Sequence, residues 1–229
     1  MKSVRHQWLV VVGLLLAVPS LASAGFIVTD VYGTDDNVVT NVDVDDATQT
    51  VTIDEDYGES WVALRSPYPG GKVAVNENGD FFDLKIEFDQ AALDAGPVWT
   101  FDFNVTNTGF WRWIGYGFEF WNDSFSSRIT DVVDDGLLLS YSQDVGFQHE
   151  IVVGWGVPDQ SVLLFFMSDP EPERHVKGAT HTYSLELDLS KINSGAPGAF
   201  GLRQIAVIPE PSAAVLGLLG LPLLRRRRR

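Results

Sequence analysis

Three tryptophans of one strand parity stand in the stretch GFWRWIGYGFEFWND: Trp111, Trp113 and Trp121. Gly115 and Gly117 fall on the same parity and open a gap in the row. Phe110, Ile114, Tyr116, Phe118 and Phe120 take the other parity. Sugar rings stack on exposed aromatic faces, so such a row suits a ligand-stacking platform for a glycan. A central strand buried on both faces is the competing reading, because aromatic residues form strands well wherever they stand.

The second candidate is ionic. Asp35, Asp36, Asp43, Asp45, Asp46, Asp54, Glu55, Asp56 and Glu59 crowd a short N-terminal region. Clustered carboxylates suit Ca²⁺, which takes six to eight oxygen ligands. An EF-hand loop with its glycine and terminal glutamate is not present, and Asp43 and Asp45 sit on a strand pattern that does not wrap an ion. The expectation is no cofactor and no metal site, with Ca²⁺ as the one ion the composition favours. His149, His175 and His181 are scattered without the i, i+4 spacing of a helical zinc site. Neither a G-x-S-x-G elbow nor a phosphate loop occurs. No pair among the many acids stands out for glycoside hydrolysis.

The elements that must carry these residues read as strands. FFDLKIEFD, WTFDFNVTN and HTYSLELDLS each alternate apolar and polar residues with period two, the pattern of a strand with one buried face. NVDVDDATQTVTID reads as a hairpin turning at Asp46, Ala47 and Thr48. QHEIVVGWGV, SVLLFFMS and FGLRQIAVI are denser apolar runs, as central strands require. FDQAALDAG offers at most two helical turns. Turn-rich breaks such as PYPGG, NENGD and NSGAPG separate strands every ten to fifteen residues. The fold class expected is all-β: a single antiparallel β-sandwich, jelly-roll-like or immunoglobulin-like.

The two ends differ from this middle. Lys2 and Arg5 precede the apolar WLVVVGLLLAV, and Ala22 and Ala24 occupy the small-residue positions of a cleavage site. That order describes a signal peptide over 1–24, with Gly25 the first mature residue. The complete absence of cysteine excludes disulfides, thiolate metal sites and thiol catalysis. At the other end, Ser212 to Leu224 is uncharged and apolar, a short hydrophobic helix of ~20 Å against a bilayer core of ~30 Å. Arg225, Arg226, Arg227, Arg228 and Arg229 follow, and would stay cytoplasmic by the positive-inside rule.

Charge is divided accordingly. Of sixteen Lys and Arg, two lie in the leader and five at the C-terminus, leaving nine against thirty acids in 25–208, a formal charge of −21. Such a field repels nucleic acid and anionic membrane surfaces.

The triplet Pro209, Glu210 and Pro211, the apolar run and the arginine cluster together resemble the PEP-CTERM sorting signal of Gram-negative bacteria, over 209–229. The resemblance implies export by the Sec translocase and a precursor held at the inner membrane by its C-terminal segment. It further implies recognition of Pro209, Glu210 and Pro211 by exosortase, retention through Arg225 to Arg229, and release to the cell envelope or extracellular matrix alongside exopolysaccharide. Pro222 interrupts the apolar run and departs from a regular helix. The cargo, 25–208, is expected to be non-catalytic, adhesive or glycan-contacting; a secreted hydrolase of matrix polysaccharide is the alternative. This type of tail is also named for ice-binding proteins, but TQTVT is too short for the regular threonine rows that function needs.

Overall fold

The computed structural model describes residues 24–31, 37–58, 61–63, 71–75, 81–109, 112–145, 149–153, 160–166 and 175–209. The leader up to residue 23, the tail from Glu210 onward, Trp111, Asp35, Asp36 and Glu59 lie outside them.

The chain runs through β1 (Phe26–Asp30), β2 (Asn37–Asp45), β3 (Thr50–Tyr57), β4 (Trp61–Ala63), β5 (Gly71–Val75) and β6 (Phe82–Phe88). A short helix α1 (Gln90–Ala95) leads to β7 (Val98–Asn107) and β8 (Gly115–Asn122). Then come β9 (Leu138–Gln143), β10 (His149–Val153), β11 (Val162–Phe166), β12 (Thr180–Asp188) and β13 (Gly198–Pro209). Two sheets result. The larger has the order β1-β6-β13-β8-β11-β10, with β5 also on β13 and β4 on β5; the smaller has the order β2-β3-β7-β12-β9. Successive strands repeatedly change sheet.

The period-two runs place their apolar parity inward. Val51 and Ile53 of β3, Phe101, Phe103 and Val105 of β7, and Tyr183, Leu185 and Leu187 of β12 meet Leu84, Ile86, Phe118, Phe120, Phe200 and Leu202 of the larger sheet in one core. Aromatic contacts bridge the sheets: Phe101 meets Phe200 edge-on at 5.9 Å, and Tyr116 stacks on Tyr183 at 4.5 Å. The predicted hairpin is present as β2 and β3. The strict antiparallel expectation is corrected at one place, because β3 and β7 pair in parallel, Thr50 opposite Thr100 through Tyr57 opposite Asn107. The connection from β3 to β7 passes through β4, β5 and β6 of the other sheet, long enough to bring β7 back in the same direction.

At one end, α1 closes the sandwich. The Asp89 carboxylate caps it by accepting from the Ala92 amide at 3.0 Å. Trp99 in the core donates its indole N–H to the carbonyls of Ala92 and Gly96, at 3.1 and 2.8 Å.

Gly117 shows how tightly β8 and β11 lie together, since a β-carbon there would stand 2.3 Å from the Leu163 carbonyl oxygen. Gly117→Ala is expected to cost about 1–3 kcal/mol as overpacking against a neighbouring backbone. Chemical denaturation measures this; an unchanged midpoint would mean that the two strands are not so closely apposed.

Candidate functional site

The tryptophan row does not form. Trp113 is fully buried and belongs to the core. It stacks on Tyr116 at 5.2 Å, meets Tyr57 edge-on at 5.1 Å and lies 4.0 Å from the His175 ring. Residues 112–114 precede β8, so strand parity does not extend to them and Trp113 turns inward. Trp121 is in β8 and faces away from the core. Trp111 lies outside the described residues. The two described tryptophans therefore stand on opposite faces of the larger sheet. Of the two glycines read as a gap, Gly117 lies against β11; Gly201 of β13, opposite Trp121, lies against the ring of Phe125.

Around Trp121 a layered ionic cluster occupies the ring. Arg203 sits with its guanidinium carbon 4.7 Å from the Trp121 centroid and 4.5 Å from that of Phe81. Arg128 lies 5.6 Å from the Trp121 centroid. Arg203 donates from Nε and Nη2 to the two oxygens of buried Asp83, at 2.8 and 2.7 Å. Glu119, also buried, pairs with Arg128 Nε at 2.7 Å and accepts from the Trp121 indole at 2.9 Å. Burial pushes the Glu119 carboxyl above its ordinary range, against the opposing pull of Arg128, Trp121 and Arg203. Guanidinium groups thus hold the stacking face that a sugar would need.

The core contains a second polar group. The inward parity of β3 runs Val51, Ile53, Glu55, Tyr57, and that of β13 runs Phe200, Leu202, Gln204, Ala206, Ile208. Glu55 and Gln204 meet across the sandwich, the amide Nε2 donating to Glu55 Oε2 at 2.5 Å. Glu55 is thus not part of an ion-binding acidic surface. Burial raises its carboxyl well above the ordinary range; Gln204 opposes this, and Asp30 and Asp54 add to it. A charged residue at an apolar parity was the sequence signal for this pair.

The structure brings two histidines together. His175, fully buried, shares a hydrogen bond between Nδ1 and the Tyr183 hydroxyl at 3.0 Å. His181 packs against it with ring centroids 4.9 Å apart, and its Nδ1 lies 3.0 Å from Asp144 Oδ1. Burial, and then the charge of His181, lower the His175 pKa to about 3, against a weak opposing pull from the Val105 backbone. His149 is in β10. Among the described residues no group of three or more His, Asp or Glu side chains is placed to hold a metal ion.

The outward face of the smaller sheet is a grid of short polar side chains. Asp43, Thr52, Asp102, Ser184 and Ser142 form one row across five strands. In the next row Asn41 and Asn104 both donate to Asp54, at 3.2 and 2.8 Å, and Thr182 donates to Asn104 at 2.7 Å. None of the five strands carries a lysine or arginine. The face is acceptor-rich, and its short side chains lose little rotamer entropy on contact. Elsewhere, an open cleft of about 400 Å³ at the end of the sandwich is lined by Asn122, Ile129, Leu137, Lys191 and Asn193.

Compared with protein-family models, with curated proteins and with solved structures, the chain matches none. Among the described residues no helix is long and apolar enough to cross a membrane, and the run from Ser212 to Leu224 lies outside them.

Three expected outcomes follow from the ionic groups. Arg203→Ala should destabilise the domain by about 3–5 kcal/mol, because it strips a fully buried carboxylate of its bidentate partner. Replacing both members, Asp83→Leu with Arg203→Met, should recover most of that loss; a single variant as stable as wild type in denaturant titration would refute the pair's role. Glu55, with a raised folded pKa, contributes stability that is complete below about pH 4.5 and drains away as pH rises. Glu55→Gln should therefore melt higher than wild type at pH 8, by about 2–4 °C for each kcal/mol of ionisation cost removed, with the gap closing near pH 4.5. His175 has the opposite sign: its contribution is complete above about pH 6.5 and is lost as pH falls toward about 3. NMR titration should find its ring neutral at pH 5.

Proposed function

We propose that this chain is an exported, non-catalytic component of the envelope or extracellular matrix of a Gram-negative bacterium, delivered through a PEP-CTERM signal. The leader 1–24 engages the Sec translocase. The acidic domain 25–208, a jelly-roll-like sandwich by its repeated crossing between sheets, is the cargo. Ser212 to Leu224 holds the precursor at the inner membrane, with Arg225 to Arg229 inside, until exosortase reads Pro209, Glu210 and Pro211.

The observation that carries this reading is positional. The last described strand, β13, is paired up to Pro209, which lies opposite Gly71 of β5. Pro209 is the first residue of the triplet, so a cut beyond the triplet takes none of the described strands from the domain. A proline, lacking an N–H, suits the terminal position of a strand.

The non-catalytic part of the reading is favoured by the two carboxylates whose pKa is raised among the described residues. Glu55 faces the core and Glu119 is tied to two arginines. Neither is free to serve a hydrolase as general acid. The hydroxyl- and amide-bearing face of the smaller sheet, not the tryptophans, is the surface we assign to exopolysaccharide.

Fractionation of the native host with and without its exosortase tests the reading. The expected result is a shortened protein in the matrix fraction of the wild type and a full-length one in the inner membrane of the deletion strain. A surface species whose intact mass still includes Arg229 would overturn it.

A further inference from the structure

We infer that removal of the leader creates a new ion pair that staples the two sheets: the α-ammonium of Gly25 seated between the carboxylates of Asp89 and Asp46. This rests on the export reading, which places the cut between Ala24 and Gly25.

The seats are already built. Gly25 donates its amide to Asp89 Oδ1 at 3.1 Å, and its own carbonyl accepts from the Asp89 amide at 3.1 Å. The two residues are thus locked in a closed pair. Glycine is what allows the approach, since a β-carbon at Gly25 would lie 2.4 Å from Asp89 Oδ2. One residue earlier, the Ala24 amide stands 3.2 Å from both oxygens of Asp46. Asp89 follows β6 of the larger sheet, and Asp46 opens the turn between β2 and β3 of the smaller one. The chain's first described residues therefore lie between carboxylates from the two layers.

Cleavage after Ala24 changes the chemistry at this point. It removes the amide that Asp46 holds and converts the next nitrogen, Gly25 N, from a neutral donor of one proton into a cation with three. One proton keeps the bond to Asp89; the others face Asp46 and water. The surroundings favour the cation. Asp45 ends β2 and Asp46 opens the turn after it, Asp89 precedes α1 and Asp94 lies within it, and Glu87 lies near the end of β6. Lys85 of β6 is engaged by Glu87 at 2.9 Å, and neither the turn nor α1 contains a basic residue. An ammonium facing opposite charges holds its proton more strongly, so its stabilisation is present below about pH 8, the ordinary α-amino range, and is lost as pH rises through its folded value.

The test uses protein recovered after export, its first residue determined by sequencing. Selective acetylation of the α-amine keeps an N–H donor at Gly25 and deletes the charge. The acetylated form should melt about 2–4 °C lower than the free amine at pH 7, and the gap should close by about pH 10. Asp89→Asn should reproduce the loss and lower the amine's titration midpoint while still capping α1, since asparagine caps as well as aspartate. Equal melting of free and acetylated forms at pH 7, or a midpoint unmoved by both Asp89→Asn and Asp46→Asn, overturns the staple alone. A first residue other than Gly25 overturns the cleavage assignment, and with it the staple's existence in the cell.

Discussion

The domain depends on β13 being satisfied on all four sides. Its first seven residues pair with β6, its last three with β5, and most of its length with β8. On one face Phe200, Leu202, Ala206 and Ile208 enter the core; on the other Ile205 and Val207 are fully buried as well. A strand so enclosed cannot leave any backbone donor or acceptor unpaired without a cost of about 1–3 kcal/mol for each group. The larger sheet is therefore completed only when the last strand is in place, and the remainder of the fold is arranged around that requirement.

The same strand supplies the two polar positions that break the apolar pattern, and they act differently. Gln204 points inward and meets Glu55 of the opposite sheet, so it links the layers in register. Arg203 points outward and gathers Asp83 of β6, Glu119 and Trp121 of β8, and Phe81. A slip of one residue would put the guanidinium into the core and the apolar side chains outside. Buried charge in this position thus acts against misregister, whatever its net contribution to stability. The inner pair does the same between sheets, where hydrophobic contacts alone would tolerate sliding.

Much of the framework was legible because it is local. The alternations in FFDLKIEFD, WTFDFNVTN and HTYSLELDLS give β6, β7 and β12 almost to the residue, and the turn at Asp46 gives the β2–β3 hairpin. What was not legible depends on partners distant in sequence. The parallel pairing of β3 with β7 follows from a long excursion through the other sheet, and no local pattern records it. Trp113 shares the parity of Trp121, but parity has meaning only inside one strand, and β8 begins at Gly115. Gly117, which looked like an opening beside tryptophan, is a place where the Leu163 backbone approaches closely. His175 and His181, scattered in the sequence, meet because β12 carries one of them past the other. Glu55 was visible as an acid but was grouped with its neighbours by composition; its place in the alternation Val51, Ile53, Glu55, Tyr57 separates it from Asp54 and Asp56.

The strand order also sets how a tethered precursor would present itself. β1 and β13 both run antiparallel to β6, on its two sides, so they run parallel to each other. Phe26 and Gly198 both lie opposite Phe88, at one end of the sheet. Pro209 is eleven residues further along β13, about 36 Å away at the usual rise of a strand. Gly25, next to Phe26, and Pro209 therefore stand at opposite ends of the larger sheet. In the proposed precursor, the Gly25 end, with α1 and the cleft beside Gly198, would thus lie at the end of the sheet opposite to the one where the tail begins. The two proposed cuts would then be independent in space: the first would alter the charge at one end, and the second would leave every described strand at the other end in place.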